Sequence, residues 1–422
     1  MNRLKINKTP NTILTALAVV FVLGVLTFVN YRFSIQNPGG TDFMVHWMGT
    51  RAYLTEGLSP YSDETSIMIQ TFTYGRPAQA GEHELRVAYP LYSIFLFMPF
   101  SAFADFDIAR GAWMTLLEIS LIALCFVCFQ LTDWKPSLPV LTVFLIFSVL
   151  WYHAVRPLIL GNAVILVALA IAGGLLAIKR GADELAGILF ALATIKPQVA
   201  LLFVVFIIFW AAATSRWKII GWFLGVMALL VATATLLIPD WILQNIREIL
   251  RYPGYNPPGT LGAALNEWLP GAGRRIGWAV TGVLSLLLLL EWNISRVSNK
   301  RGFVWAACLT LTASLWIGIQ TDPGNFIVAF PAIVMCFSLL DKRWKNGGKK
   351  IIYAITAILF IGIWTIFLLT VEYSYQPIQS PVMFIPLPMA LLLMLYWVRW
   401  WAIRPASTWM DSIYELENPD LE

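Results

Sequence analysis

The stretch from Thr12 to Ile35 reads TILTALAVVFVLGVLTFVNYRFSI and decides the fold class. It is long enough to cross the hydrocarbon core of a bilayer as a helix, which takes about 20 apolar residues. Arg3, Lys5 and Lys8 precede it, and it lacks a small-residue cleavage site. We therefore expect an uncleaved membrane anchor with a cytoplasmic N-terminus.

The composition of the whole chain agrees with a membrane location. Of the 422 residues, 59% are hydrophobic and 13% are charged, so there is too little polar surface to cover soluble domains. The net charge of +5 comes from 29 Lys and Arg residues, which sit mostly in short clusters between apolar segments. Such clusters report membrane topology, and no nucleic-acid partner is expected.

The residues give little support for a metal site or for redox chemistry. The four cysteines lie inside apolar runs and there are only three histidines, without the spacing of metal ligands. The chain shows neither a Walker loop nor a dinucleotide fingerprint. We expect no metal site and no cofactor.

Further apolar runs divide the rest of the chain into predicted spans. They read as Ser137 to Val155, Gly161 to Ile178, Glu184 to Ile195, Pro197 to Ala213, Ile219 to Ile238, Ile276 to Trp292, Phe303 to Ile319, Phe326 to Leu340, Ile351 to Val371 and Val382 to Trp401. The region from Tyr89 to Leu131 holds two more apolar pieces, the first of them short. These runs predict an all-α, polytopic transmembrane helix bundle of about 12 spans.

Basic residues in alternate loops set the expected sidedness. They place both termini in the cytoplasm and the loops at 36–88 and 239–275 outside, in a multi-pass protein of the plasma membrane. Residues 1–404 form a single integral membrane domain in this interpretation, and 405–422 an acidic cytoplasmic tail. Because long loops commonly carry function, we expect the chemistry in these two segments, the large first extracytoplasmic loop and the loop at 239–275.

Asp42 is the principal candidate in the first external loop. A helix is predicted from Phe43 to Glu56, ending at Gly57, so Asp42 stands at its start. One interpretation is structural, because Asp is a favoured N-cap and suits the positive end of the helix dipole. The other is functional, because a carboxylate at the lipid boundary is placed to act as a general base. The two are compatible.

Other polar residues of the loop have functional and structural interpretations too. His46 lies one turn beyond Asp42 and shares its face, although an interfacial side chain is the alternative. Arg51, Arg76 and Arg86 offer the forked donors that bind phosphate, or they are solvated loop charges.

The order of several motifs resembles glycosyltransferase family 87 of the GT-C superfamily, whose members use polyprenyl-phosphate donors. The motifs are Asp42-Phe43 after an N-terminal anchor, Gly57-Leu-Ser-Pro60-Tyr61, Tyr89-Pro90-Leu91, Arg156 to Gly161-Asn162, and Gly187 to Ala193 followed by Lys196-Pro197. The resemblance spans roughly Thr12 to Leu340. Asp322 and Asn325 stand in a segment where members often carry Trp and His.

This resemblance implies an inverting hexosyltransferase of enzyme class 2.4. Such enzymes transfer a hexose, usually mannose, from a polyprenyl-phosphate donor to a lipid or glycan acceptor of the cell envelope, and their first-loop Asp corresponds to Asp42. For the donor phosphate the candidates are Arg86, Arg156 and Lys196. The remaining candidates for substrate binding are His46, Arg51, Tyr61, Tyr89, Asn162, Asp322 and Asn325. The expected partners are membrane lipids, the lipid-linked donor and the acceptor.

Alternatives remain at each level. Arg156 has an interfacial anchoring role as its alternative, Lys196 an exposed hairpin position, and Asp322 a helix cap. For the whole chain the alternative is a multi-span transporter or flippase of an anionic lipid-linked sugar. Matched, interrupted helices in two halves are typical of transporters, and none is evident here.

Overall fold

The computed structural model describes residues 12–255, 259–297, 300–317, 322–373 and 377–403. The acidic tail predicted at 405–422 lies outside the described residues. The regular secondary structure of the described part is helical apart from two short antiparallel strands, β1 (Glu372–Tyr373) and β2 (Pro377–Ile378). The prediction of an all-α fold is thus confirmed at the level of its elements.

The elements follow the apolar runs of the sequence. The α-helices up to the middle of the chain are α1 (Thr12–Gln36), α2 (Thr41–Glu56), α3 (Asp63–Tyr74), α4 (Ile94–Ser101), α5 (Phe106–Thr132), α6 (Leu138–Leu150), α7 (Tyr152–Leu160), α8 (Val164–Arg180), α9 (Asp183–Ala193) and α10 (Pro197–Ala213). The later helices are α11 (Trp217–Leu237), α12 (Trp241–Tyr255), α13 (Leu261–Trp268), α14 (Gly273–Ser295), α15 (Lys300–Ala313), α16 (Phe330–Ala357), α17 (Ile363–Thr370) and α18 (Pro386–Ile403). Short 3₁₀ segments cover Leu91–Ser93, Pro323–Ala329 and Pro381–Phe384, and a π-helical turn covers Ile358–Gly362.

Eight helices in the described part of the chain are long and apolar enough to cross a membrane. They are Leu14–Gln36, Phe106–Thr132, Leu138–Leu160, Trp217–Leu237, Gly273–Ser295, Pro323–Trp344, Asn346–Thr370 and Pro381–Ile403. Two shorter apolar helices, Leu91–Ser101 and Pro197–Ala213, accompany them. The chain is therefore a membrane protein, while the count of about 12 spans and the sidedness stay predictions.

Lipid is the natural surroundings of α1. Of the most apolar 18 consecutive residues of this helix only 6% are buried against protein, and side chains such as Phe21 are largely exposed. An apolar surface of this extent is unfavourable in water at about 25 cal/mol per Å². The apolar pattern thus dictates both the helix and the solvent that it requires.

Some segments expected to be loops are helical. The basic cluster from Lys342 to Lys350 lies within the continuous helix α16, although it contains Gly347 and Gly348, which have low helix propensity. The two loops predicted to be external also contain helices, α3 in the first and α12 and α13 in the second. Ser62 is the N-cap of helix α3, and its hydroxyl accepts a hydrogen bond from the Thr65 N–H. Serine is one of the residues preferred at this position.

The described chain divides into two compact units. The first comprises the residues up to Ala88, together with Ser93–Ser120 and Leu158–Asn162. Its core is an aromatic cluster around Phe43, which is fully buried and stacks on Trp113 at 5.3 Å between ring centroids. Phe43 follows Asp42 in the chain, so this packing fixes the first turn of α2.

The second unit comprises Tyr89–Tyr92, Leu121–Pro157 and the residues from Ala163 onward. The segment Pro323–Trp344 forms its centre, because 94% of the most apolar 18 consecutive residues of this segment are buried. Phe330 on this segment packs against Phe144 of α6 at 5.7 Å between ring centroids. Elsewhere Gly187 lets α9 approach α11, since a Cβ there would lie 2.5 Å from the Ile219 carbonyl oxygen.

Candidate active-site residues

Asp42 is the second residue of α2 and lies half-buried in its first turn. The helix starts here because Gly39 and Gly40 turn the chain with φ of 150° and 75°, values that glycine adopts readily. The N-cap is Gly40, and no side chain caps this helix end. Asp42 is therefore not an N-cap, although its charge still suits the helix dipole. The predicted helix and its end at Gly57 are both found.

Asn162 holds the Asp42 carboxylate. Its side-chain Nδ2 donates to Asp42 Oδ2 at 2.7 Å, and Asn162 itself is buried. A neutral amide donor orients a carboxylate without neutralising its charge, which is what a general base requires. The structure thus brings together two residues that the sequence placed 120 positions apart.

The preceding Gly161 makes this pairing possible. Its φ is 69°, and a Cβ at this position would lie 2.5 Å from the Cβ of Phe43. Only glycine therefore allows the Gly161-Asn162 turn to approach the start of α2 so closely. Gly161 thus provides the space for this contact, and Asn162 donates the hydrogen bond.

Three other candidates of the first unit pack tightly near α2. His46 is buried, with its ring stacked on Phe97 at 4.8 Å between centroids. Arg51 donates from Nη1 to the carbonyl oxygen of Ser101 at 3.2 Å, and Tyr61 is buried. These contacts fit structural roles, and substrate binding by these residues stays a prediction.

Arg86, the third phosphate candidate, faces carboxylates. Its Nη2 lies 2.5 Å from Asp63 Oδ1 and its Nε lies 2.7 Å from Glu84 Oε2. Two negative neighbours balance its charge and would repel a phosphate that approached the same guanidinium.

The second unit holds another group of candidates, centred on Asp322. Asp322 is the N-cap of the 3₁₀ segment Pro323–Ala329, and its Oδ1 accepts a hydrogen bond from the Gly324 N–H at 2.6 Å. Its Oδ2 accepts from Gln379 Nε2 at 2.7 Å and lies 3.5 Å from Arg156 Nη2. The capping interpretation of Asp322 is confirmed, and the ion pair with Arg156 is an additional finding.

Electrostatics keep Asp322 ionised. Burial alone would raise the pKa of its carboxyl, but the Arg156 guanidinium, the Gly324 N–H and the Lys196 ammonium outweigh that effect, so the pKa lies below its usual value. A carboxylate with this many donors is a weak proton acceptor. It is better suited to orienting Arg156 than to acting as a base.

Lys196 is buried at the N-terminal end of α10, with only 3% of its surface exposed. Its Nζ lies 5.3 Å from the ring centroid of Tyr89, a cation–π contact. The alternative of an exposed hairpin amine is therefore not seen. A cation at a helix N-terminus is disfavoured by the helix dipole. A bound anion at this place would therefore stabilise both the Lys196 ammonium group and the N-terminal end of α10.

Sequence reasoning missed two members of the Asp322 group. The Tyr152 hydroxyl donates to Gln379 Oε1, and Gln379 in turn donates to Asp322, which forms a chain of hydrogen bonds. Tyr152 lies one turn before Arg156 on α7, a spacing that indicates a shared face. No pattern pointed to Gln379, which follows the β1–β2 hairpin.

His153 and Asn325 lie beside this group. His153 is buried and its Nδ1 lies 2.7 Å from the Pro323 carbonyl oxygen, so that nitrogen carries the proton. Asn325 is also buried, and its main-chain N–H donates to the Asp322 carbonyl oxygen at 2.8 Å. Among the described residues no group of three or more His, Cys, Asp or Glu side chains is arranged to hold a metal ion.

Comparison with known proteins gives one match. Residues 88–254 match the sequence profile of glycosyltransferase family 87. The search of curated proteins and the search of solved structures found no match. The matched region contains Tyr89, Arg156, Asn162 and Lys196, four of the residues predicted for the site. The match supports the family assignment made from the sequence: residues 88–254 of the chain are similar to glycosyltransferase family 87, a family of transferases.

Proposed function

We propose that this protein transfers a hexose from a polyprenyl-phosphate donor to a lipid or glycan acceptor outside the cytoplasm, with inversion at the anomeric carbon. Mannose is the first sugar to test. The family match supports sugar transfer. The observation that carries the mechanism is the Asp42 carboxylate in the first turn of α2, held by Asn162 at 2.7 Å.

Asp42 has the role of general base in this proposal. Its carboxylate takes the proton of the acceptor hydroxyl, and the acceptor oxygen attacks the anomeric carbon from the face opposite the phosphate. The bond between that carbon and the phosphate oxygen breaks, and polyprenyl phosphate leaves with the bonding electrons. General-base catalysis of this kind contributes about 10²- to 10⁴-fold to a rate.

Arg156 and Lys196 have the proposed role of stabilising the leaving phosphate. Both are largely buried cations of the second unit, and both act on the Asp322 carboxyl electrostatically. Fixed positive groups in a poorly hydrated place stabilise developing negative charge better than mobile groups in water. Arg86 stays a weaker candidate, because Asp63 and Glu84 already balance its charge.

A lipid-linked donor suits the apolar helices of the chain. Its polyprenyl chain is soluble only in the bilayer, while its phosphate and sugar lie at the membrane surface. No soluble nucleotide sugar is required, because the energy comes from the glycosyl–phosphate bond itself. The active site would then face the side opposite the cytoplasm, on the plasma membrane, as the basic loops predict.

The test is sugar transfer in membranes that contain the full-length protein. Radiolabelled polyprenyl-phosphate mannose is supplied, and label in endogenous lipid and glycan acceptors is measured for wild type and for Asp42→Asn. The expected loss is at least about 100-fold per folded protein, or about 3 kcal/mol in activation free energy. The carboxylate is removed while the volume stays the same.

Glu64 provides the matched control. It is the second residue of α3, as Asp42 is of α2, but it is exposed. Glu64→Gln is expected to retain full transfer. Undiminished transfer by Asp42→Asn would refute the base assignment. Absence of transfer by wild type with several donor sugars, combined with movement of the labelled lipid across the membrane, would favour a flippase.

A further inference from the structure

Arg110 is a buried arginine that none of the motifs contains. It lies on α5, in a membrane-spanning segment, and is only 1% exposed. An ionisable side chain in such a place is costly, and its retention indicates a specific task. The Ser34 hydroxyl links it to Asp107 on the same helix, since it accepts from Arg110 Nη1 at 3.2 Å and donates to Asp107 Oδ1 at 2.6 Å.

The guanidinium joins two main-chain segments. Its Nη1 donates to the carbonyl oxygen of Asn37 at 2.8 Å, and its Nη2 donates to the carbonyl oxygen of Ile159 at 3.1 Å. Asn37 begins the turn that leads into Asp42, and Ile159 precedes Asn162 by three residues. The two carbonyl groups therefore belong to the segments that carry the two members of the Asp42–Asn162 pair.

The turn before Asp42 is built around this guanidinium. A Cβ at Gly40 would lie 2.5 Å from Arg110 Nε, and one at Gly39 would lie 3.5 Å from Nη2. Gly40 in particular thus allows the main chain to lie directly against the arginine, because a Cβ there would clash whereas one at Gly39 would be in ordinary contact. A planar group with several fixed donors can hold two carbonyl groups at once, which the single ammonium of lysine does less well.

Trp113 supports the same pair from the next turn of α5. Its indole N–H donates to the carbonyl oxygen of Gly161 at 2.8 Å, next to Asn162. Its ring stacks on Phe43, next to Asp42. Arg110 and Trp113 thus each contact both segments, from one face of one helix.

We propose that Arg110, assisted by Trp113, is a positioning residue that sets the geometry of the Asp42–Asn162 pair. This inference rests on the proposed role of Asp42 as general base. Arg110 does not contact substrate. It acts by holding the Asn37–Gly40 turn and the Ile159–Asn162 turn at a fixed separation, so that Asp42 faces its acceptor in one orientation.

The test combines Arg110→Lys with Asp42→Asn in the same membrane assay with polyprenyl-phosphate mannose. Arg110→Lys keeps the charge but loses the bridge between two carbonyl groups. The maximal rate is expected to fall about 10- to 100-fold, as misplacement of a catalytic group by about 1 Å does, while the apparent KM for the donor stays within about threefold. Arg32→Lys, the same change on the exposed side of α1, is the control and is expected to leave the rate unchanged.

The background of Asp42→Asn distinguishes positioning from folding. A residue that acts only through Asp42 has no further effect once the base is removed, so Arg110→Lys is expected to leave the residual rate of Asp42→Asn unchanged. An equal fall in both backgrounds, or a fall that simply follows the amount of folded protein in detergent, would overturn the inference.

Trp113→Phe serves as a second variant that leaves the buried charge intact. It removes the hydrogen bond to Gly161 but keeps an aromatic ring, and a smaller fall in maximal rate is expected. Full activity of both Arg110→Lys and Trp113→Phe would refute the inference while Asp42→Asn remained inactive. Full activity of Asp42→Asn would instead refute the proposed function.

Discussion

Gly161→Ala tests whether a displacement of about one ångström at the Asp42–Asn162 pair decides activity. The new Cβ would lie 2.5 Å from the Phe43 Cβ, whereas ordinary contacts begin at 3.4 Å, so the two segments must separate by about 0.9 Å, the difference between these values. Phe43 has no room to retreat, because it is fully buried against Trp113. Added to the present 2.7 Å, this shift stretches the Asn162–Asp42 hydrogen bond to about 3.6 Å, beyond its useful range.

The expected consequence is a fall in transfer of about 10²-fold, or roughly 2.7 kcal/mol in activation free energy. The assay is sugar transfer in membranes, normalised to folded protein. Gly75→Ala is the matched control, because Gly75 has nearly the same positive φ of 72° but no atom within 4 Å of a new Cβ. Both variants bear the strain of a left-handed alanine, about 1–2 kcal/mol. A rate for Gly161→Ala no lower than that of Gly75→Ala would refute the reasoning.

Three further predictions concern charged groups. Burial lowers the pKa of His83 from 6.5 to about 4, and its Nδ1 accepts from the Leu85 N–H at 2.9 Å, so protonation breaks this bond. The unfolded chain binds the proton more readily than the folded chain. The contribution of neutral His83 to stability is therefore complete above pH 6.5 and is lost as the pH falls toward 4, by at most about 3 kcal/mol. Thermal unfolding in detergent should show this loss in wild type and not in His83→Gln. Lys196→Gln is expected to weaken donor binding roughly 10- to 100-fold, seen as a raised KM for polyprenyl-phosphate mannose, and an unchanged KM would contradict its phosphate role. Glu291→Leu should destabilise the protein by about 1.5–3 kcal/mol, because it leaves the half-buried Arg399 without its carboxylate partner at 2.9 Å, and adding Arg399→Leu should restore much of the lost thermal stability.

Helix positions were largely predictable from the chain alone. Helix α10 is found at the predicted bounds, and α11 at Trp217–Leu237 differs by two residues at its start and one at its end from the predicted span. The physical reason is local, because a segment in lipid must satisfy its own backbone hydrogen bonds and match the bilayer thickness. The end of helix α2 in the first loop was also predictable from a local signal, because glycine readily adopts the left-handed conformation that ends a helix and Gly57 does so here.

The partners of the charged residues were not predictable. Nothing in the sequence indicated that Arg86 pairs with Asp63, that Asp322 pairs with Arg156, or that Glu291 pairs with Arg399. Each pair joins residues that are distant in the chain. Their contact depends on how helices pack, which hydrophobic periodicity does not specify.

By itself the sequence determined the membrane location, most of the helices and, through the order of its motifs, the resemblance to glycosyltransferase family 87 that the match over residues 88–254 supports. Asp42 was singled out by its position at the start of a predicted helix, and Asn162 by the family resemblance, but as separate residues. Only the tertiary structure decided that the two form a hydrogen-bonded pair, with Gly161 providing the space and Arg110 joining the two turns. The reason is that apolar length is a property of one segment, whereas the orientation of the Asp42 carboxylate depends on several segments held together at once.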